Sequence, residues 1–175
     1  MIGRVDNLRL VNLVGALGLT LADGQQRVVT AATELASSDA AALNFVGQTP
    51  ACSIDSVRTA LAISHPGTVR VIDRLAGRGL VERRAGVDGR TRGLWLTPSG
   101  NDAWARLNEV RLAWLDAIVD RLGPTEQAQL ESAVEDLLGL LTHGYDESEY
   151  MCRLCDLRVC PQDRCPVTLA LEDSS

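Results

Sequence analysis

The sequence predicts a mainly helical protein, class mainly α, with one helix-turn-helix followed by a β-hairpin. Apolar residues make up 46% of its 175 residues and aromatic residues only 3%, a composition that favours packed helices over an aromatic-rich sandwich. Leucine, valine and isoleucine recur at intervals of three and four residues along most of the chain, which is the periodicity of amphipathic helices. Glycine- and proline-containing breaks mark the turns between these segments.

The first half of the chain contains helices of very different length. Residues 5–35 predict one long helix, or two helices with a break at Asp23-Gly24. A short helix follows from an N-cap in residues 37–39 and should end at Thr49-Pro50. Cys52 stands apart from the other cysteines and is expected to be a small buried apolar side chain.

Two further short helices, joined by a turn of three or four residues, predict the helix-turn-helix. Ser53 is a good N-cap for the first of them. The second opens at Ser64 with Pro66 in its first turn, and Gly79 should close it. Residues 80–84 and 91–96 then predict two strands joined by a turn at residues 86–89.

Two long helices are predicted after this hairpin. One starts at Thr97-Pro98 and stops at Gly123-Pro124, and the last ends near His143-Gly144. The apolar stripes of the first and last helices are wide for so small a central domain, and a twofold partner is the commonest way to bury such surface. We therefore expect a homodimer, with residues 1–37 and 101–145 forming the dimerisation helices, 38–100 the winged helix-turn-helix domain and 146–175 a cysteine-rich tail.

The charge distribution is uneven. The whole chain carries a net charge of −6, but residues 64–92 hold seven arginines against three acidic residues. One basic face on an acidic protein is the distribution expected where a limited surface meets phosphate. No apolar run approaches the roughly 18 residues of a membrane span, and the N-terminus does not resemble a signal peptide, so a cytoplasmic location without membrane contact is expected.

Several sequence runs resemble the MarR family of bacterial regulators. They are residues 63–75 (ISHPGTVRVIDRL), 78–83 (RGLVER), 88–91 (DGRT) and 96–100 (LTPSG). Their order and spacing cover the second helix of the helix-turn-helix, the hairpin and the entry to the next helix. The resemblance implies a homodimer on a pseudo-palindromic operator in double-stranded DNA, a role in transcription, here as a repressor, and often a pocket for a small-molecule effector.

Within the helix that would enter the major groove, Arg70 is expected to read a base edge, because arginine can donate two hydrogen bonds to guanine. Arg74 could do the same or could pair with the adjacent Asp73 inside the domain. Ser64, His65 and Thr68 are candidates for phosphate or base contacts, with Ser64 also a helix cap. The remaining candidates on the polar side of this helix are Pro66 and Gly67.

The hairpin carries a second set of candidates. Arg90 resembles the wing arginine of the family, and a guanidinium at a thin loop tip suits insertion into a narrow minor groove. Asp88 is expected to orient the loop or this arginine without touching DNA. Arg83, Arg84 and Arg92 would serve phosphates or remain exposed.

The tail contains Cys152, Cys155, Cys160 and Cys165 with the spacing C-x2-C-x4-C-x4-C, which is similar to a zinc knuckle in which cysteine replaces the histidine. Four thiolates can close a tetrahedral zinc site with bonds of about 2.3 Å, and such a site would supply folding free energy to a segment with little core. We expect zinc. A 4Fe-4S cluster is the alternative, since four thiolates serve either metal, and reduced thiols or disulfides are the third.

Two other functional hypotheses follow from the cysteines. Metal loss or oxidation at the tail could switch DNA binding, which would make the chain a sensor. A thiol oxidoreductase built on Cys152 and Cys155 is disfavoured, because C-x-x-C has redox meaning chiefly within a thioredoxin-like βαβ unit. His65 and His143 lie beside no recognisable nucleophile motif, so the chain is not expected to be an enzyme.

Overall fold

The computed structural model describes residues 7–85 and 92–173 and shows a mainly helical chain with one antiparallel hairpin, as the sequence predicts. The elements in chain order are α1 (Asn7–Thr33), α2 (Ser37–Gln48), α3 (Ile54–Leu61), α4 (His65–Gly77), β1 (Val81–Ala85), β2 (Arg92–Leu96), α5 (Pro98–Val119), α6 (Pro124–Leu141), α7 (Tyr145–Met151), a 3-10 turn (Gln162–Arg164) and α8 (Pro166–Asp173). None of the helices in these two ranges is long and apolar enough to cross a membrane.

α1 is a single helix, which settles the choice between one helix and two. Gly24 does not break it but lies buried against the indole ring of Trp114 on α5. A Cβ atom at Gly24 would come within 2.2 Å of that ring. The glycine therefore serves the close packing of α1 against α5 rather than a turn.

The core of the winged helix domain forms where α2, α3, α4 and the hairpin meet. Its fully buried apolar side chains are aliphatic, in agreement with the low aromatic content. They include Leu35, Leu43, Val57, Ile72, Leu75, Leu94 and Leu107. Cys52 is also buried, as expected, and burial raises the pKa of its thiol to about 12.

Side-chain caps start three of the helices where the sequence places them. Ser53, Ser64 and Thr97 each accept a hydrogen bond from the backbone N–H three residues later, which satisfies one of the unpaired donors of a helix N-terminus. α2 begins at Ser37 as predicted but without a side-chain cap. Asp39, predicted as part of that cap, is buried and used elsewhere.

The hairpin pairs Val81 with Leu96 and Ala85 with Arg92. The segment before α3 adds one bridge to β2. The N–H of Leu94 donates to the carbonyl of Cys52, and the N–H of Ala51 donates to the carbonyl of Leu94, both at 2.9 Å. The sequence did not predict this additional pairing. The turn predicted at residues 86–89 lies outside the described residues.

The tail is more ordered and more closely attached than predicted. It contains the two helices α7 and α8, of which α7 packs on α3 and α8 packs on α6. The acidic residues Asp146 and Glu147 in the first turn of α7, and Pro166 at the start of α8, are typical helix start signals. The sequence analysis did not predict these two helices, which are seven and eight residues long.

Gly100→Ala is expected to destabilise the domain by about 1–3 kcal/mol, because the new Cβ would lie 1.9 Å from the carbonyl oxygen of Leu80. That carbonyl belongs to the backbone entering β1 and cannot move without displacing the hairpin. The measurement is the free energy of unfolding in urea. The matched control is Gly77→Ala, which meets no atom within 4 Å and should be neutral or stabilising by up to about 1 kcal/mol. An unchanged stability for Gly100→Ala would contradict this packing.

Candidate nucleic-acid interface and cysteine cavity

The turn between α3 and α4 places the N-terminus of α4 at the surface. Ala62, directly after α3, adopts a left-handed conformation with φ of 53°, and Ser64 then caps α4 by accepting from the N–H of Gly67. His65 and Pro66 in the first turn are exposed, and Gly67 is half-buried. The residues predicted to contact DNA in this turn are therefore accessible at the exposed N-terminal end of α4.

Arg70 lies on the same exposed face, one turn further along α4. Its Nε donates to the carbonyl of Pro66 at 3.2 Å. Within residues 7–85 and 92–173 its guanidinium forms no ion pair, whereas Arg74, Arg83 and Arg84 each do. The terminal nitrogens of Arg70 thus remain available for a partner outside the chain.

Thr68 is fully buried, and its hydroxyl donates to the carbonyl of Ser64 at 3.2 Å. It was predicted as a candidate for phosphate or base contact, but this placement gives its hydroxyl an internal partner and no exposed surface. The pattern of α4 explains the difference, because Thr68 shares its face with the buried Val71, Ile72 and Leu75.

Arg74 is used inside the domain, although not by the partner considered from the sequence. Its guanidinium makes two hydrogen bonds to the carboxylate of Asp39 on α2, at 3.1 and 2.5 Å. The Asp39 side chain is only 8% exposed and that of Arg74 is 51% exposed. Asp73 pairs instead with Arg83 of β1, at 2.7 Å. Arg74 therefore fastens α4 to α2.

The base of the hairpin is also internally paired. Arg84 contacts Glu82 and lies over the ring of Trp95, 5.6 Å from its centroid. Among the predicted wing residues, Asp88 and Arg90 lie outside the described residues, as does the side chain of Arg92. Their expected roles at DNA stay predictions.

The four tail cysteines line one cavity of about 330 Å³, here called the cysteine cavity. Cys165 is buried and Cys152, Cys155 and Cys160 are half-buried. None of the four is in a disulfide. The rest of the wall mixes apolar and polar side chains. The apolar ones are Phe45, Leu157, Val167 and Leu171, and the others are Gln48, Thr49, Tyr145, Ser148, Glu149, Arg153, Gln162 and Thr168. The fold therefore brings together the four residues that the sequence singled out by spacing.

The thiols of the cysteine cavity influence one another. Cys152 hydrogen-bonds to Cys155, which lowers the pKa of Cys155 to about 7 against the opposing effect of burial, while Arg111 and Arg153 lower it further. The pKa of Cys152 is correspondingly raised, and Cys160 and Cys165 contribute to that rise. Burial and the neighbouring Cys165 raise the pKa of Cys160 to about 11. The four thiols therefore form two hydrogen-bonded pairs, Cys152 with Cys155 and Cys160 with Cys165.

Two amide side chains of α2 hold the tail against the winged helix domain. Asn44 is fully buried and donates to the carbonyls of Arg153 and Cys155, at 3.1 and 2.9 Å. Gln48 donates to the same Cys155 carbonyl at 2.8 Å and accepts from the N–H of Leu157 at 2.7 Å. Because α2 also carries Asp39, the partner of Arg74, one helix contacts both the cysteine loop and α4.

A buried arginine lies behind the cysteine loop. Arg111 of α5 is 7% exposed and its Nε has no hydrogen-bond partner among the described residues. Burial lowers its pKa, and the nearby Cys155 and Asp156 act in the opposite direction. Arg158 pairs with Asp156 at 2.8 Å and lies 4.7 Å from the ring centroid of Trp104. A buried cation therefore faces the loop that carries two of the cysteines.

The cysteine cavity is not a ready site for a single ion. Over the described ranges, no group of three or more histidine, cysteine, aspartate or glutamate side chains is placed so that it could hold one metal ion. The residues that sequence reasoning missed here are Asn44, Gln48 and Arg111. Asn44 and Arg111 both lie on otherwise apolar helix faces, which was the available indication that these polar side chains are buried.

Comparison with known proteins finds one family model that matches part of the chain. Residues 34–91 match the MarR family model, a segment that runs from the start of α2 into the hairpin. No curated protein matches the chain in sequence.

Solved structures share the fold at low sequence identity. FabT of Streptococcus pneumoniae, solved in complex with DNA, is 15% identical with a TM-score of 0.67, covering 76% of this chain and 95% of its own. A MarR family protein of Bacillus stearothermophilus is 15% identical with a TM-score of 0.72, covering 82% and 100%. A MarR family protein of Mycobacterium tuberculosis is 20% identical with a TM-score of 0.61, covering 78% and 98%.

Arg74→Ala is expected to lower the free energy of unfolding by about 1–3 kcal/mol, because it leaves the buried Asp39 carboxylate without its charged partner. The half-exposed position of Arg74 keeps the loss below that of a fully buried pair. Asp39→Asn combined with Arg74→Ala should recover part of the loss, since the carboxylate charge is then gone. Chemical denaturation of the two variants and of Arg70→Ala, which should match the parent, tests this. Equal stability of Arg70→Ala and Arg74→Ala would argue against a structural role for the Asp39 pair.

Proposed function

We propose that this chain, whose residues 34–91 match the MarR family, is a transcription regulator that binds double-stranded DNA as a homodimer and acts as a repressor in the cytoplasm. The observation that carries the proposal is Arg70, an exposed arginine on the second helix of a helix-turn-helix that has no acidic partner among the described residues. An arginine so placed can donate two hydrogen bonds to a guanine in the major groove.

The ends of the chain support the homodimer. The N-terminal half of α1 exposes a stripe of large apolar side chains, and the end of α6 exposes another. These residues are Leu8, Leu10, Val11, Leu13, Val14 and Leu17 on α1, and Leu137, Leu140 and Leu141 on α6. A contiguous apolar surface of this kind marks an interface on a protein that stays in solution. A second copy of the chain is the simplest partner, and twofold symmetry would place two copies of α4 for a pseudo-palindromic site.

The hairpin would contact the DNA beside α4. We propose that Arg90 enters the minor groove next to the helix, with Asp88 orienting the loop. His65, Pro66 and Gly67 at the exposed start of α4 would approach the phosphate backbone, where backbone N–H groups of a helix N-terminus can also donate.

A second function is favoured by the way the tail is attached. We propose that Cys152, Cys155, Cys160 and Cys165 bind metal and that metal occupancy controls DNA binding. The supporting observation is that Asn44 and Gln48 of α2 bind the backbone of the cysteine loop directly. A tail folded by its metal would therefore hold α2, and through Asp39 and Arg74 also α4.

Arg70→Ala and Arg90→Ala are each expected to weaken binding to the preferred duplex by about 10- to 100-fold, the loss of one arginine contact in a groove. The duplex is first selected from a random pool with the parent protein, and affinity is then measured by fluorescence anisotropy at one salt concentration. Arg106→Ala is the matched control, because Arg106 is an exposed arginine of α5 paired with Glu109. Parent-like affinity in both test variants would refute the proposed interface.

Metal removal by dialysis against a chelator is expected to weaken duplex binding at least about tenfold in the parent. Gln48→Ala should weaken binding before any metal is removed and should respond less to the chelator, because the link from Cys155 to α2 is partly lost. Gln127→Ala, whose amide bonds only the turn between α5 and α6, is the control. Identical affinity of the parent with and without metal would limit the cysteines to a structural role.

A further inference from the structure

We propose that α7 of the tail is an autoinhibitory element, because its carboxylates Asp146 and Glu147 lie beside the helix-turn-helix and repel the phosphate backbone that α3 and α4 approach. The inference rests on the proposed function, since it takes the exposed end of α4 as the surface that meets DNA. It goes further by assigning the tail a role that opposes binding. Three observations carry it, namely the packing of α7 on α3, the position of its carboxylates and the charge around them.

The first observation is the packing of α7 on α3, the first helix of the helix-turn-helix. When such a motif binds duplex DNA, its first helix crosses the phosphate backbone while the second enters the major groove. The segment that matches the family model ends at residue 91, so α7 lies outside it. The tail therefore places an additional helix against the element that is expected to lie nearest to phosphate.

The second observation is the position of the first turn of α7. Asp146 and Glu147 line a surface groove together with Arg58 of α3 and with Ala62 and Ile63 of the turn that follows α3. That turn leads directly into the cap of α4. Both acidic residues are exposed. Their carboxylates are therefore at the surface, next to the exposed N-terminal end of α4.

The third observation is that little positive charge offsets these carboxylates. In the described part of the chain neither Asp146 nor Glu147 forms an ion pair, whereas Arg58, the one basic residue of α3, is paired with Asp55 at 3.2 Å. Asp55 also lies 3.6 Å from Nδ1 of His65. Three carboxylates thus surround one arginine where α3 is expected to meet the backbone, and like charges brought towards phosphate oppose binding.

The test compares charge variants of the full chain by fluorescence anisotropy. Asp146→Asn combined with Glu147→Gln removes two negative charges and is expected to tighten duplex binding about three- to tenfold in about 50 mM salt. Because the repulsion acts on phosphate, the gain should be equal for the selected duplex and for a scrambled duplex of the same length. The gain should be at least halved in about 200 mM salt, where charges at the surface are more strongly screened.

Matched variants separate charge from folding. Asp146→Glu combined with Glu147→Asp keeps both charges and should bind like the parent. Glu131→Gln combined with Glu135→Gln removes the same charge from exposed positions on α6 and should also bind like the parent. Asp146→Asn and Glu147→Gln alone should each give about a two- to threefold gain, because independent charges contribute additively, whereas detachment of α7 would be an all-or-none event. Circular dichroism establishes that the helices remain folded.

Parent-like affinity of the neutralised variant at low salt, or an equal gain in the α6 variant, would overturn the proposal. The proposed function fails separately. A gain from neutralising α7 while Arg70→Ala and Arg90→Ala bind like the parent supports the role of α7 and refutes the proposed contacts of α4 and the hairpin. A parent that binds duplex as tightly as the neutralised variant refutes only the role of α7. Absence of duplex binding by both proteins would overturn both proposals.

Discussion

The structure depends on the buried side chain of Asn44. Its amide nitrogen donates to the carbonyls of Arg153 and Cys155, and its oxygen accepts from the indole of Trp104 and the amide of Asn108. An amide with no exposed surface must have such partners, because an unsatisfied buried polar group costs about 1–3 kcal/mol. These bonds join α2, α5 and the tail. The relative position of the three is thus fixed by one set of hydrogen bonds as well as by apolar packing.

This arrangement makes α2 the common support of the two proposed sites. One face of the helix contributes to the aliphatic core below α4, where Asp39 binds Arg74. Another face binds the loop of Cys155 through Asn44 and Gln48. Neither connection requires α2 to touch DNA. A change in the order of the cysteine loop would therefore reach α4 through buried, directional contacts, which have few alternative arrangements.

Local signals in the sequence predicted local structure well. Ser53, Ser64 and Thr97 cap the helices that they were expected to start, and the hairpin follows Gly79 directly. What the sequence could not supply were contacts between distant segments. Asp39 and Arg74 are 35 residues apart, and Gln48 and Cys155 are 107 apart. The spacing of apolar residues predicts which face of a helix is buried. It does not predict which polar residues contact each other on that face, and so Asp39 was interpreted as part of a helix cap.

The count of charges in the sequence has the same limit, because it does not show which arginines pair with carboxylates elsewhere in the chain. Seven arginines against three acidic residues over residues 64–92 predict a strongly basic surface, but much of that charge is neutralised inside the domain. Arg74, Arg83 and Arg84 are each paired with a carboxylate, and one of those carboxylates, Asp39, lies outside the counted segment. On α4 this leaves Arg70 exposed without an acidic partner in the described ranges. A net charge of −6 gives the chain as a whole little long-range attraction to phosphate. Under the proposed role at DNA, recognition would rely on directed contacts such as that of Arg70, and the internally paired arginines would support them by fixing α4 and the hairpin.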